Sequence, residues 1–394
     1  MSGQITCLSC FSRFSPDQAL FRCAASPDDC AGAAPDPVYT SFEGLPGIGK
    51  MGRVFAAPAP ARSLLRRGEP VLSADCPSCG RATQKRICPV CHHDLQHDAG
   101  MVDEKIIAII GARSAGKSSY IAALIRRLRS DVGMNFSGSL NAMNEHTRSR
   151  YRQDFEQPLF IDRRVLEATP PAGLEARTKT PLVFRLTFNT GRRLNRVASL
   201  VLFDTAGEDM QSLNAMSTEA RYICHADALI FLLDPLQIDT VRTLLPTASL
   251  PVRDPNAEPL QIVERLRELY ERGFGLRPGQ KIDRPVAFTL SKVDTLYSII
   301  DPGSALFRTG EHFGYLNLRD VETVHTEIYN YIQAWMGPAF NNTIGSNFRT
   351  YRYFGVSALG RAPDRDSIQT VSSLRVEDPA LWILYQFGQI AGKK

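Results

Sequence analysis

The sequence predicts an α/β fold with a mostly parallel sheet, preceded by a small cysteine-rich region. From about residue 101, apolar segments of strand length alternate with segments of helical periodicity, which places helices on both faces of a parallel sheet. Eight of the nine cysteines lie before residue 92. We therefore divide the 394 residues into a cysteine-rich region, 1–100, and an α/β domain, 101–394.

The composition is typical of a soluble globular protein, with 43% hydrophobic and 22% charged residues. No apolar run approaches the ~20 residues of a membrane span, and the N-terminus lacks the regions of a signal peptide. We therefore expect a cytoplasmic protein that does not contact a membrane. The formal net charge is +5, and residues 1–100 hold ten basic and nine acidic side chains, so the charge pattern does not favour nucleic acid as a partner.

The cysteine-rich region is expected to bind about two structural zinc ions. Two C-x-x-C pairs separated by eight residues can bring four thiolates round one tetrahedral metal, and four cysteines leave no open position for catalysis. That grouping sets Cys76, Cys79, Cys88 and Cys91 apart from Cys7, Cys10, Cys23 and Cys30. The alternative joins Cys7/Cys10 to Cys76/Cys79 and leaves Cys23/Cys30 with Cys88/Cys91. The sequence leaves both pairings open.

The remainder of this region is expected to be a connector and a surface. Residues 31–70 are rich in Ala, Pro and Gly, which is typical of an extended connector. Three histidines follow the last of these cysteines, and we interpret them as surface residues rather than ligands: His92, His93 and His97.

Beyond residue 101, the apolar pattern predicts six strands and four helices. The predicted strands are 105–110, 181–189, 197–203, 228–233, 285–290 and 351–356. The predicted helices are 118–129, 212–224, 259–272 and 321–335. The second and third strands are joined by a connection too short for a helical crossover, so we expect one antiparallel hairpin. The Pro-rich stretch 234–258 is expected to be a surface excursion.

The loop after the first predicted strand is the clearest candidate ligand site. Gly111-Ala-Arg-Ser-Ala-Gly-Lys-Ser118 fits the pattern G-x-x-x-x-G-K-[ST] and lies between an apolar strand and a predicted helix. In that setting, backbone N–H groups and the helix N-terminus face a polyphosphate. The residues predicted to contact the nucleotide here are Gly111, Arg113, Ser114, Ala115, Gly116, Lys117, Ser118 and Ser119.

Two further motifs end predicted strands and point to guanine. Ser291-Lys292-Val-Asp294 places a carboxylate that can accept hydrogen bonds from guanine N1–H and the 2-amino group, which adenine lacks. The stem of Lys292 can lie over the base. Ser357-Ala358 supplies small residues, which let a backbone N–H meet the guanine O6.

Asp204-Thr-Ala-Gly207 ends another apolar strand and completes a recognisable set. In their order along the chain, the four motifs resemble those of P-loop GTPases of the translation-factor and Ras-like class, over about residues 101–360. The resemblance implies a Ras-like fold and a Mg·GTP site, with Lys117 on the β- and γ-phosphates, Ser118 on the metal and Asp204 behind it. Gly207 would let the next amide approach the γ-phosphate. The chain departs from the family at Ser291, where Asn is common, which removes one hydrogen bond.

The resemblance also indicates which residues would act in hydrolysis. A threonine just before the second strand would reach Mg²⁺ in the GTP state, and Thr180 is assigned this role. Arg177 has the R-x-x-T spacing of an internal arginine finger, with a surface arginine on a loop as the alternative. Glu208 stands where Ras-like proteins place a water-orienting glutamine, and its charge is repelled by a γ-phosphate. We therefore expect slow intrinsic hydrolysis, with Arg113 as a further phosphate contact.

Cysteine ribbons before such a domain, with Asp378-Pro-Ala-Leu-Trp382 near the end, resemble bacterial double-GTPase-type proteins. That resemblance implies a GTP/GDP-dependent regulatory switch with a protein partner, such as a second related GTPase or another copy of the chain. The alternatives are a GTPase whose zinc ribbons bind RNA and a pseudo-GTPase scaffold without turnover. The apolar residues near the C-terminus are expected to seal the last helix onto the core rather than dock a partner: Trp382, Leu384, Tyr385 and Phe387.

Overall fold

A computed structural model of the protein describes residues 4–44, 48–57, 70–102, 104–112, 114–166, 181–188, 196–202, 218–246, 250–254, 257–364 and 367–394. The chain forms two compact units, Met1–Glu104 and Lys105–Lys394. Across these described ranges, no helix has both the length and the apolar character needed to cross a membrane.

The first unit is built from very short strands arranged around the cysteines. Its described strands are β1 (Ile5–Thr6), β2 (Arg13–Phe14), β3 (Leu20–Arg22), β4 (Val54–Ala56), β5 (Ala74–Asp75), β6 (Ala82–Thr83) and β7 (Arg86–Ile87). They form two hairpins, β1–β2 and β5–β6, and a three-stranded sheet in the order β4-β3-β7. One helix, α1 (Pro37–Glu43), begins at Asp36, whose side chain accepts from two backbone N–H groups.

The second unit contains a seven-stranded sheet in the order β15-β13-β12-β8-β11-β10-β9. Its strands are β8 (Glu104–Gly111), β9 (Gly138–Ala142), β10 (Leu182–Phe188), β11 (Arg196–Leu202), β12 (Ala228–Leu233), β13 (Val286–Leu290) and β15 (Tyr351–Gly355). Strand β12 is parallel to both β8 and β13, and β13 is parallel to β15. The predicted mostly parallel sheet is therefore confirmed.

The antiparallel part of the sheet is larger than predicted. Strands β10 and β11 form the expected antiparallel pair, in register from Leu182 opposite Leu202 to Phe188 opposite Arg196. On its other side, β10 also pairs antiparallel with β9, which the sequence did not predict.

Helices cover the sheet and two regions between strands are π-helical. The described helices of this unit are α2 (Lys117–Arg127), α3 (Gly133–Phe136), α4 (Glu145–Arg150), α5 (Thr218–His225), α6 (Asp239–Leu244), α7 (Pro259–Phe274), α8 (Leu318–Met336), α9 (Pro338–Asn347) and α10 (Asp378–Gln386). The π-helical segments are Leu128–Val132 and Tyr151–Ile161. A small parallel pair, β14 (Tyr315–Asn317) with β16 (Ala391–Lys393), includes the C-terminus.

One face of the sheet packs against α2 and α10. Ile107 and Ile109 of β8 belong to one buried cluster with Leu124 of α2 and Trp382 of α10. Alternate residues of a strand point to opposite faces, so Ile106, Ala108 and Ile110, all buried, face the other side. Burial on both faces explains why the β8 segment is a continuous apolar run.

The prediction of a surface excursion over 234–258 is wrong for the first part of that stretch. Pro235, Leu236 and Gln237 form a buried 3-10 turn directly after β12, and Val241 of α6 is fully buried. Proline content indicated a loop, but Pro235 occupies the first position of the turn, where a missing N–H costs nothing.

The last helix seals the core as predicted. All residues of α10 from Asp378 to Leu384 are buried, and the ring centroids of Trp382 and Phe354 lie 5.8 Å apart. Just before the helix, Leu374 exchanges backbone hydrogen bonds with Ser357, so the C-terminal segment also supports the loop after β15.

Candidate nucleotide site and metal centres

The predicted phosphate loop, residues 111–118, lies between β8 and α2, and its described residues have the backbone that the sequence requires. Ser114 and Gly116 both adopt positive φ, 61° and 83°. A side chain at Gly111 would meet the backbone oxygen of Leu232 on β12 at 3.0 Å, so the loop begins where only glycine fits comfortably. Helix α2 begins at Lys117, so the positive end of its dipole faces the loop.

Lys292 joins the Ser291–Asp294 motif to the phosphate loop. Its Nζ donates to the backbone oxygen of Ser114 at 2.7 Å and to Oδ2 of Asp234 at 2.8 Å. The neighbouring Ser291 is buried, and its hydroxyl donates to the backbone oxygen of Leu233 at 3.1 Å. The serine that replaces the family's asparagine therefore bonds to β12 in this structure.

Asp294 is held by Ser357 of the Ser357-Ala358 motif. The Ser357 hydroxyl donates to Oδ1 of Asp294 at 2.5 Å and accepts from the backbone N–H of Gly360 at 2.8 Å. Ser357 is fully buried, whereas Asp294 and Ala358 are half-buried. Two segments 63 residues apart thus meet at the carboxyl ends of β13 and β15, with a carboxylate fixed in orientation between them.

Part of the predicted site lies outside the described residues. This applies to Arg113 of the phosphate loop and to the candidates for magnesium binding and hydrolysis, namely Arg177, Thr180, Asp204, Gly207 and Glu208. Lys117, Ser118 and Ser119 lie at the start of α2 and are half-buried. The structure therefore brings together the phosphate loop, Lys292, Asp294 and Ser357.

Sequence reasoning missed Asp234, whose side chain is only 1% exposed. Its Oδ1 accepts from the backbone N–H of Leu236 at 3.0 Å, which caps the turn after β12, while Oδ2 contacts Lys292. The sequence did contain evidence for this residue. Asp234 directly follows an apolar parallel strand, and such a position lies at the edge of the sheet where the other motifs converge.

The cysteines form two clusters, and neither pairing weighed from the sequence is correct. One cluster contains Cys7, Cys10, Cys88 and Cys91, and the other contains Cys23, Cys30, Cys76 and Cys79. The reason is the antiparallel pairing of β3 with β7, in which Leu20 lies opposite Ile87. Cys23 and Cys88 each follow their strand, so they leave opposite ends of the pair and cannot share a metal.

Both clusters have the dimensions of a tetrahedral zinc site. Neighbouring sulfurs lie 3.6–3.8 Å apart, for example Cys7 to Cys91 at 3.7 Å and Cys30 to Cys76 at 3.8 Å. Zn–S bonds of about 2.3 Å give a tetrahedron with S–S edges of about 3.8 Å. The residues present therefore fit zinc, and each cluster is embedded in its own small apolar core.

The turns that carry the thiolates aim backbone N–H groups at sulfur. Ser9 donates to Sγ of Cys7 at 3.4 Å, and Val90 donates to Sγ of Cys88 at 3.3 Å. Such bonds favour the thiolate form that binds metal. Each C-x-x-C turn is followed by a residue with positive φ, and these residues are Phe11, Gly80 and His92.

Two of the three histidines, His92 and His93, are half-buried rather than on the surface as we predicted. Nδ1 of His92 lies 2.8 Å from a carboxylate oxygen of Asp36, and Nε2 of His93 lies 2.5 Å from Glu43. His93 also lies beside the rings of Tyr39 and Phe42. These contacts attach α1 to the Cys88–Cys91 turn. None of the three histidines belongs to either cysteine cluster as described, and His97 is exposed.

The phosphate loop, its lysine partner and the paired motifs at the carboxyl ends of the sheet define a P-loop GTPase domain. A model of the family described as Double-GTPase 2 matches residues 105–343. Because the match spans more than half of the chain, the protein belongs to this family. The cysteine clusters and the segment from Ser357 to the C-terminus lie outside the matched residues.

The chain is also similar to one curated protein and to one solved structure. The chain is 28% identical over 407 residues to a Mycolicibacterium smegmatis protein named "Putative ESX-1 scaffolding and assembly protein SaeC", covering 97% of this chain and 99% of that protein. It is also similar to the Arl6 BBS3 small GTPase from Trypanosoma brucei with bound nucleotide analogue GppNp, at 15% identity and a TM-score of 0.29. That match covers 73% of this chain and 98% of the other.

Proposed function

We propose that this protein is a GTP-binding regulatory switch that hydrolyses GTP slowly and uses its zinc ribbons to dock a protein partner. The observation that carries the proposal is the convergence of the phosphate loop, Lys292 and the Asp294–Ser357 pair at one edge of the sheet. A phosphate-binding element and a guanine-selective carboxylate then lie on one site, as a guanine nucleotide requires.

In this proposal, the carboxylate of Asp294 recognises the guanine base by accepting hydrogen bonds from it. Its Oδ1 accepts the Ser357 hydroxyl, which fixes the plane of the carboxylate toward guanine N1–H and the 2-amino group. Adenine would leave this carboxylate without donors, and an unpaired desolvated carboxylate is costly. The stem of Lys292 would lie along the base.

The phosphates would lie on the N-terminus of α2, where Lys117 neutralises charge on the β- and γ-phosphates. Ser118, Thr180 and Asp204 would hold Mg²⁺. The ion would supply positive charge that neutralises the phosphate oxygens. Arg113 and Gly207 would supply further phosphate contacts.

Hydrolysis is proposed to be slow because Glu208 stands where a neutral glutamine would orient water. Arg177 is proposed to stabilise the transition state from within the chain. Single-turnover assays test the role of Arg177. Arg177→Ala should lower the rate at least tenfold while nucleotide affinity is unchanged, and equal rates would remove the internal arginine from the proposal.

The zinc ribbons are proposed to recruit a protein partner in a nucleotide-dependent way. The relative's name refers to scaffolding and assembly, which supports a role in building a multi-protein system. The partner would be a second related GTPase or another copy of this chain. Eight metal-bound thiolates suit a reducing compartment, so the proposal places the protein in the cytoplasm. Affinity isolation with GTP-loaded and GDP-loaded protein tests it, and partners captured equally by both forms would contradict a switch.

A scaffold that binds nucleotide without turnover is the second candidate, and the relative's name favours it. Single-turnover hydrolysis with the wild type discriminates the two. Mg²⁺-dependent release of phosphate would exclude the scaffold, and tight GTP binding without release would exclude the slow GTPase.

The binding site itself is tested with Lys117→Ala. GDP affinity should fall at least a hundredfold, because the variant loses the cation that neutralises the phosphates. Lys281→Ala is the control, since Lys281 is exposed and its Nζ donates to the backbone carbonyl of Gly345, away from the proposed site. Equal affinities for the two variants would contradict the assigned site.

A further inference from the structure

Asp234 is a buried carboxylate with both oxygens engaged. Its side chain is 1% exposed; Oδ1 accepts from the N–H of Leu236 at 3.0 Å and Oδ2 from Nζ of Lys292 at 2.8 Å. A carboxylate removed from water requires such charge-assisted partners. The ammonium of Lys292 is therefore fixed at a defined point at the end of β12.

Nζ of Lys292 also donates to the phosphate-loop carbonyl of Ser114 at 2.7 Å, which links the Ser291–Asp294 motif to that loop. A Cβ added at Gly116 would lie 3.8 Å from Cε of Lys292, so the lysine stem passes directly over the loop. Lys292 also has φ of 51°, a left-handed backbone that is unfavourable for a residue with a side chain.

We propose that Asp234 is a positioning residue for nucleotide binding. It holds the ammonium of Lys292 so that this one side chain orders the phosphate loop at Ser114 and places its stem where a base would lie. This inference rests on the proposed guanine-nucleotide site. Because the loop contacts the phosphates that GDP and GTP share, Asp234 contributes to the affinity for both nucleotides.

Asp234→Asn tests the proposal in the full, zinc-loaded chain. The amide oxygen can still cap the turn at Leu236, but the charge that holds Lys292 is lost. GDP and GTP affinities, measured by titration calorimetry with Mg²⁺, should both fall about tenfold or more. Asp239→Asn is the matched control, since Asp239 begins the neighbouring helix and forms only an exposed ion pair with Arg253. Its affinities should equal those of the wild type.

A double-mutant cycle separates positioning from a general structural effect. In a Lys292→Gln background, Asp234→Asn should change GDP affinity less than twofold, because the residue through which Asp234 acts has been replaced. Additive losses would overturn the proposal, as would an unchanged affinity in the single variant. Asp234→Ser, whose hydroxyl can also cap the turn, repeats the cycle if Asp234→Asn does not fold.

The wild-type titration distinguishes the two proposals. A wild type that binds neither GDP nor GTP contradicts the proposed function and the role of Asp234 with it. A wild type that binds both, beside an Asp234→Asn variant that binds equally well, overturns the role of Asp234 alone.

Discussion

Arg375 joins the C-terminal segment to the rest of the GTPase unit, and its replacement should destabilise that unit strongly. The guanidinium is 1% exposed and bonds both oxygens of Asp320 at 2.8 Å and Oδ2 of Asp378 at 2.6 Å. Burial opposes its charge, but the two carboxylates outweigh burial and raise the pKa of Arg375. Burial likewise opposes the ionised form of Asp378, yet His312 and Arg375 lower its pKa.

Arg375→Met keeps most of the apolar stem and removes the charge. Asp378, itself 3% exposed, then keeps its carboxylate without the guanidinium. Breaking a buried pair in this way costs about 3–5 kcal/mol, or very roughly 6–20 °C in melting temperature for a domain of this size. Removing an exposed pair costs about 0–1 kcal/mol. Arg349→Met is such a control, because Arg349 and Asp283 are 65% and 72% exposed.

Urea unfolding followed by tryptophan fluorescence measures this difference within the correct unit. The chain has two tryptophans, and both Trp335 and Trp382 lie in Lys105–Lys394, so the cysteine-rich unit does not contribute to the signal. Arg375→Met with Asp378→Asn should recover part of the loss, because the carboxylate that has lost the guanidinium is replaced by a neutral amide. A loss below about 1 kcal/mol, equal to that of Arg349→Met, would refute the reasoning.

Three further predictions follow from the sites described above. Cys76→Ser should reduce the zinc content from about two ions per chain to about one, by mass spectrometry of desalted protein; retention of both ions would contradict a four-thiolate site. Burial, assisted by Arg352, lowers the pKa of His325 from 6.5 to about 4, and its Nδ1 accepts the backbone N–H of Tyr353. As the pH falls from 6.5 to 4, His325 is protonated in the unfolded chain but stays neutral in the folded chain. The free energy of unfolding should therefore fall, by about 2 kcal/mol after allowance for partial exposure. His325→Gln keeps an acceptor and should flatten this dependence, and an unchanged slope would exclude His325 as its source. Asp294→Asn should shift nucleotide preference from guanine toward xanthine, whose 2-oxo group accepts where guanine donates; competition titrations that still favour GTP would remove its base-reading role.

The sheet and the main helices were predictable because their apolar patterns are long and periodic. Strand β9 was missed because Gly138-Ser-Leu-Asn-Ala142 has one strongly apolar residue and begins with glycine. It is a strand because β10 offers an unpaired edge, which is information from elsewhere in the chain. The Arg375 network was equally invisible, since Asp320 lies 55 residues away.

The grouping of the cysteines shows that spacing along the sequence does not predict which cysteines share a metal site. Cys76–Cys79 and Cys88–Cys91 are close in sequence, yet they belong to different clusters. The strands that decide this, β3 and β7, are three and two residues long and carry no detectable periodicity. By contrast, the meeting of Lys292, Asp294 and Ser357 in the candidate nucleotide site was predictable, because each motif ends a recognisable parallel strand and such ends meet at one edge.

Titration calorimetry of the full, zinc-loaded chain with GDP and with ADP, both with Mg²⁺, tests the proposed guanine-nucleotide site most directly. Asp294, fixed by Ser357, should make the affinity for GDP at least about a hundredfold higher than that for ADP. Equal affinities for the two nucleotides, or no binding of either, would contradict the account.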